Sequence, residues 1–274
     1  MFHLPNLITA SNLLCGVLAI ISSLMGRIDL APFFIYAGAI FDFFDGFLAR
    51  KMNKMGELGK QLDSLADMVT FGVAPGIFMF VVLIVSIQAT TFNNLSTSEI
   101  NDFLTNWKNC VFYDVPNLKM QTTKYIPFFA LFIPFISIFR LAKFNIDTRQ
   151  SESFIGLNTP TNTIFFSVFP LILFLETSND SITYSISLFI FKPYFLIPLI
   201  ATMSLLLIAE IPMFSLKFKT FKWHHNELKF SFLITCLLLI LFLLVWSIPI
   251  IVILYVILSL IDNKIKSKSH EIQS

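Results

Sequence analysis

The strongest constraint on this sequence is a succession of apolar runs, each close to the roughly 20 residues that a helix needs to cross the hydrocarbon of a bilayer. They lie near 7–26, 31–50, 61–88, 124–144, 160–176, 194–211, 230–246 and 248–262. Inside hydrocarbon every backbone polar group must find a partner within the protein, which for runs of this length means a helix. The expected fold is therefore all-α, a polytopic helical membrane protein of about eight transmembrane helices. Composition agrees: 56% of the 274 residues are hydrophobic and 13% charged, with mean hydropathy +0.78, a balance that excludes an ordinary water-soluble domain. The stretch 177–193 is ambiguous, because its apolar part is short and is broken by Lys192 and Pro193.

Charge gives an orientation. With a cytoplasmic N-terminus, 14 of the 19 Lys and Arg fall on the cytoplasmic side, among them Arg50, Lys51, Lys54, Lys60, Arg140, Lys143 and Arg149. Five fall on the other side: Arg27, Lys108, Lys119, Lys124 and Lys192. That split follows the positive-inside rule and puts both chain ends in the cytoplasm, with 89–123 as the main external loop. The opening MFHLPNLITASN has no basic n-region, so the first span is expected to stay in the mature protein. One membrane domain over 1–263 and a short polar cytoplasmic tail over 264–274 complete the expected organisation. The net charge of +2 gives no reason to expect nucleic acid as a partner, and Cys15, Cys110 and Cys236 form no metal-ligand spacing. With 33 Phe against nine Gly, the helices are expected to pack through aromatic and aliphatic side chains rather than close glycine seams.

Against this apolar background the segment FDFFDGFLARKMNKMGELGKQLDSLADMVTFG stands out. Asp42 and Asp45 are three residues apart, Asp63 and Asp67 four apart, so each pair lies on one helix face at the cytoplasmic end of a span. Four like charges converging where water is scarce repel strongly unless cations neutralise them. Oxygen ligands without His or Cys favour magnesium, manganese or calcium, and four carboxylates suit two metal ions clamping phosphate oxygens. Gly46 and Gly59 leave room for a ligand, and Arg50, one turn beyond Gly46, can reach a phosphate. The bland alternative is four solvated charges at helix ends; clustering at a membrane boundary argues against it.

The same residues fit D-x-x-D-G-x-x-A-R, eight residues, then G-x-x-x-D-x-x-x-D, with Asp42, Asp45, Gly46, Ala49, Arg50, Gly59, Asp63 and Asp67 in the eight fixed positions. In this the chain resembles the CDP-alcohol phosphatidyltransferase family. A chance match at one starting point is on the order of 10⁻¹⁰. The resemblance implies a bacterial cytoplasmic (inner) membrane enzyme that works on the cytoplasmic side with CDP-diacylglycerol as donor. It implies two Mg²⁺ or Mn²⁺ ions held by the four aspartates, Asp67 also as general base, and a homodimer. Gly46, Ala49, Arg50 and Gly59, with Pro5, Thr9 and Asn12 of the N-terminal PNLITASN, are expected at the CDP and its phosphates.

The acceptor is read from other segments. PNLITASNLLCG, and FRLAKFNIDTRQSESFIGLNTPTN at the end of the fourth span, resemble the bacterial branch of the family that uses L-serine, with Lys143 and Asn158 departing from that branch's pattern. Arg140, Lys143, Asn145 and Thr159 are the expected contacts to the lipid phosphate or serine, Arg140 being the better bidentate partner. Another acceptor, such as glycerol 3-phosphate or inositol, is the nearest alternative, and a divalent cation transporter the alternative from another class. His224 and His225 lack acidic or Cys partners at ligand spacing and are expected in a solvated basic loop.

Overall fold

The computed structural model describes residues 3–54, 56–91, 125–147, 155–175, 189–214 and 226–273. Residues 92–123 of the expected external loop, most of 177–193, Arg149 and the His224–His225 pair lie outside these residues, as does Cys110.

Helices account for nearly all of what is described, and no strand occurs among the described residues beyond a single bridge, Ile155 to Pro212. In chain order they are α1 (Leu4–Leu24), α2 (Ala31–Lys51), α3 (Glu57–Asp67), a π-helical segment (Met68–Val73) that continues into α4 (Ala74–Thr91), a 3₁₀ turn (Ile126–Leu131) leading into α5 (Phe132–Ile146), α6 (Thr159–Leu175), α7 (Pro193–Ile208), α8 (Glu227–Leu243) and α9 (Ser247–Gln273). Proline in the first turn of α1, α2 and α7 starts each where a backbone N–H would go unpaired anyway.

Among the described residues, five stretches are long and apolar enough to cross a membrane: Leu4–Leu24, Ala31–Lys51, Glu57–Ile87, Ile126–Ile146 and Glu227–Ile265. Two shorter apolar helices, Thr159–Leu173 and Pro193–Ile208, accompany them. The 39 residues of Glu227–Ile265 are not one straight rod. Leu244 has a positive φ of 47°, and Phe232 in α8 and Tyr255 in α9, on opposite sides of it in sequence, bring their rings to 6.0 Å. The chain therefore folds back between α8 and α9. Beyond Asn263, where a polar tail was expected to begin, α9 runs on to Gln273; nothing in NKIKSKSHEIQ breaks a helix, as it holds neither Gly nor Pro.

Burial sorts the helices. In α4 every residue from Phe78 to Val85 is buried, the signature of a central helix that is apolar all round. In α8 most large side chains are exposed, Phe242 at 81%, as suits a helix facing hydrocarbon. Around α4 the core is built from Phe71, Phe78, Phe165, Phe166, Leu196 and Ile200.

The expectation that glycine seams would be unimportant fails at one place. A Cβ on Gly16 would lie 2.5 Å from Thr70 Oγ1 and 2.7 Å from its Cα, and one on Gly38 would lie 2.8 Å from Thr70 Cγ2. Two glycines, one on α1 and one on α2, thus admit the π-helical segment into the groove between them. Few glycines do not preclude a seam when they stand where three segments meet.

Links between distant residues gather many helix ends at one pole of the bundle. Lys54 Nζ lies 3.3 Å from His3 Nδ1, Lys60 Nζ donates to Asn145 O at 2.8 Å, Gly156 N to Ile211 O at 2.8 Å, and Asn263 Nδ2 to Pro212 O at 2.6 Å. The carboxylate motif lies at this pole.

Candidate active site

Helix α2 carries Asp42 and Asp45 in its last turns, the chain reverses through a turn where Asn53 adopts φ 51°, and α3 returns with Asp63 and Asp67. Antiparallel return brings the two pairs face to face. One carboxylate oxygen from each of Asp42, Asp63 and Asp67 lies within 4.8 Å of the others, a spacing at which a cation can be shared. Asp45 stands alongside, 5% exposed, its Oδ2 accepting a 2.6 Å hydrogen bond from Thr9 Oγ1. Asp67 Oδ1 accepts a 3.1 Å bond from Asn12 Nδ2.

Whether these residues fit metal ions can be tested on the atoms themselves. Among the described residues Asp63 Oδ1 is buried without a hydrogen-bond donor, and an unsatisfied, buried carboxylate oxygen among other carboxylates is a strongly unfavourable arrangement without a cation. Every ligand atom is a hard oxygen. The donor set therefore fits Mg²⁺ or Mn²⁺ and gives no reason to expect zinc.

Beside the carboxylates opens a cavity of about 450 Å³, within the usual size range of small-molecule sites. Of the residues expected at the nucleotide and its phosphates, Pro5, Thr9, Gly46, Ala49, Arg50 and Gly59 line it, together with Asp45 and Asp63. A Cβ on Gly46 would meet nothing within 4 Å, and one on Gly59 only Asn6 Oδ1 at 3.6 Å, so both glycines border open space. Asn12 does not line the cavity; it is wholly buried behind it.

Sequence reasoning missed Asn6, Lys54, Gly56, Glu57 and Lys60, which complete the wall. Their signal was weak, since nothing in their spacing ties them to the aspartates until the helices are packed. Among the described residues Arg50, Lys54 and Lys60 form no ion pair with a carboxylate, which leaves three cations at the cavity for an anionic ligand.

The residues expected to bind the acceptor are placed differently. None lines the cavity. Arg140 is 4% exposed; its Nε donates to Leu157 O at 3.2 Å and its guanidinium lies 5.4 Å from the centre of the Phe144 ring. Lys143 Nζ pairs with Glu210 at 2.9 Å. Asn145 joins the end of α5 to α3, donating from Nδ2 to Ser64 Oγ at 2.7 Å while its carbonyl accepts from Lys60. Thr159 is buried at the start of α6, its carbonyl accepting from Thr163 Oγ1 at 2.9 Å. Through Lys60 and Ser64, Asn145 alone of the four is tied to the helix that bears Asp63 and Asp67.

Fold and site together define a helical membrane protein with a carboxylate cluster that could hold a metal ion beside a polar cavity. The chain belongs to the CDP-alcohol phosphatidyltransferase family, whose profile matches residues 2–203. It is 34% identical over 160 residues to CDP-diacylglycerol–serine O-phosphatidyltransferase of Bacillus subtilis, covering 58% of this chain and 71% of that one. It is 31% identical over 162 residues to the protein of the same name from Helicobacter pylori, where the match spans 58% of this chain and 54% of the relative. Archaetidylserine synthase of Methanothermobacter thermautotrophicus is 37% identical over 79 residues, 28% of this chain and 34% of that one.

Proposed function

We propose that the protein transfers the phosphatidyl group of CDP-diacylglycerol to L-serine, releasing CMP. The convergence of Asp42, Asp63 and Asp67, with Asp63 reaching a cavity walled by the other residues of the family motif, carries this reading. Serine as acceptor is supported by the names of the relatives and by the resemblance at PNLITASN and FRLAKFN.

Asp42, Asp45, Asp63 and Asp67 would hold two Mg²⁺ or Mn²⁺ ions, which when bound supply neutralisation of the diphosphate and of the charge that develops on the phosphoryl group. Arg50, Lys54 and Lys60 hold the donor's phosphates by charge, and Gly46 and Gly59 keep the space for them. Thr9, at the cavity wall, and Pro5 border the nucleotide. Asp67 has one oxygen held by Asn12 and accepts the serine hydroxyl proton on the other. The serine oxygen then forms its bond to the phosphorus that carries diacylglycerol, and the bond from that phosphorus to the CMP oxygen breaks, the electron pair leaving with CMP. Arg140 orients the serine carboxylate or the lipid phosphate, with Lys143, Asn145 and Thr159 around it.

In the same reading the chain spans the bacterial inner membrane about eight times, with the α8–α9 hairpin counted as two of those spans, the carboxylate pole in the cytoplasm, and two copies forming a homodimer. The positive-inside distribution supports the orientation and the family resemblance supports the dimer.

Purified protein incubated with CDP-diacylglycerol, Mg²⁺ or Mn²⁺ and single acceptor alcohols is expected to release CMP and form phosphatidylserine with serine only. CMP release with glycerol 3-phosphate or inositol in place of serine would overturn the acceptor, and no CMP with any alcohol would overturn the reaction. Cation uptake into proteoliposomes without CDP-diacylglycerol would favour transport instead.

A further inference from the structure

Helix α1 contributes no carboxylate to the cluster, yet it touches two of the motif aspartates, one on each partner helix. Thr9 Oγ1 donates to Asp45 Oδ2 at 2.6 Å, and Asn12 Nδ2 to Asp67 Oδ1 at 3.1 Å. Thr9 Oγ1 also lies 3.1 Å from Pro5 O; its single proton is better used on the shorter, charged contact.

Asn12 is held from two sides. Its own carbonyl accepts a 2.9 Å hydrogen bond from Thr70 Oγ1, in the π-helical turn three residues beyond Asp67. That turn reaches α1 only through the seam at Gly16 and Gly38. The remaining polar atom of the side chain, Oδ1, is buried without a donor and faces the position a Cβ on Gly38 would take, 3.1 Å away. A buried amide with its oxygen unpaired is less stable than an apolar side chain in the same place. What the amide does contribute is the bond from Nδ2 to Asp67. A contact to the nucleotide, the role its motif suggests, would require an exposed atom at the cavity, and Asn12 has none.

We infer that Asn12 and Thr9 are positioning residues of the carboxylate cluster. Each occupies one oxygen of its aspartate and so fixes the rotation at which that carboxylate stands beside the others. The inference rests on the reading of Asp42, Asp45, Asp63 and Asp67 as the cation site. Groups that hydrogen-bond to metal ligands in this way typically change metal affinity by about 10–100-fold when removed.

The test uses the full chain in detergent, without CDP-diacylglycerol, and titrates Mn²⁺ by its electron paramagnetic resonance. Asn12→Ala and Thr9→Val are expected to weaken Mn²⁺ binding by about 10–100-fold, and Thr9→Ser, which keeps the hydroxyl, to bind it as wild type does. Thermal melting establishes which variants are folded. Unchanged Mn²⁺ affinity in folded Asn12→Ala and Thr9→Val overturns the inference; a separate titration with CDP-diacylglycerol in which these variants lose only that ligand overturns it too and makes both residues nucleotide contacts. Should Asn12→Ala fail to fold, the Thr9→Val and Thr9→Ser pair decides by the same criterion. A wild-type protein that takes up no Mn²⁺ overturns the cation reading itself; wild-type uptake matched by the variants overturns only the positioning role.

Discussion

The two sides of the polar pole are held together by different means. Around α1 to α3, side chains meet side chains: Thr9 on Asp45, Asn12 on Asp67, and three carboxylates on one another. Around α5 to α7 the backbone supplies most of the contacts. Arg140 rests on the carbonyl of Leu157, whose N–H donates to Leu206 O at 2.9 Å, and Gly156 N donates to Ile211 O. The segment 211–214 is gripped in turn by α9, through Asn263 on Pro212 and Tyr255 on Phe214. Chemistry on the first side depends on residue types, whereas on the second it depends on the path of a loop. Substitutions should divide accordingly.

The largest expected effect is on the first side. Asp67→Asn keeps the shape and the capacity to accept from Asn12 but removes the proton acceptor, so CMP release should fall by about 10²–10⁴-fold in a protein that still folds. Rates measured with saturating serine and Mn²⁺ check this. Retention of full activity would move the base elsewhere and leave Asp67 as a ligand only.

On the second side Arg140→Lys is the sharper probe. An ammonium cannot make the fork of contacts a guanidinium makes. The KM for serine should rise by about 10–100-fold, the size of a lost charge-assisted hydrogen bond, while Mn²⁺ affinity stays as it was. A matching loss of Mn²⁺ binding would mean that the two sides are one unit and would break the comparison.

This division also explains what could be read in advance. Asp42, Asp45, Asp63 and Asp67 were legible because helical spacing puts them on faces, Gly46, Arg50 and Gly59 because they sit within one or two turns of those aspartates, and Ala49 only through the family motif. Lys54 and Lys60 were not legible as cavity residues, since a cation at a membrane boundary has the same spacing whether it serves topology or a ligand. Asn12 was picked out by its motif, but its bond to Asp67 was not legible, because sequence shows that it shares a face with Pro5 and Thr9 but not that α3 lies across that face. The Gly16–Gly38–Thr70 seam joins three segments and leaves no local trace in any of them. The break between the last two helices was expected between 246 and 248 and falls at Leu244, a residue with neither the flexibility nor the ring that usually marks a turn.

Gly156 tests the loop side by stability rather than rate. Its φ is 77°, and a Cβ there would lie 2.7 Å from Leu207 O and 2.8 Å from Ala209 O. Gly156→Ala should lose about 1–3 kcal/mol from the backbone conformation alone, seen as a lower melting temperature in detergent. Mn²⁺ binding by the fraction that remains folded should be unchanged if the cluster is held by α1 to α3.

The smallest effect separates two roles for Lys143. Its ammonium is paired with Glu210 at 2.9 Å, and the side chains of the two are 35% and 69% exposed, so the pair is of the kind that couples by about 0.2–1 kcal/mol. A double-mutant cycle of Lys143→Ala and Glu210→Ala on melting free energy should return a coupling in that range. If Lys143 serves only to tie α5 to the end of α7, each single variant should leave the KM for serine within about twofold, an energy well under 1 kcal/mol. If it binds the acceptor, Lys143→Ala should raise that KM and Glu210→Ala, which releases the ammonium, should lower it. Opposite movements of one constant in two variants that equally remove the ion pair cannot come from the tie, so this measurement decides whether the loop side holds one acceptor cation or two.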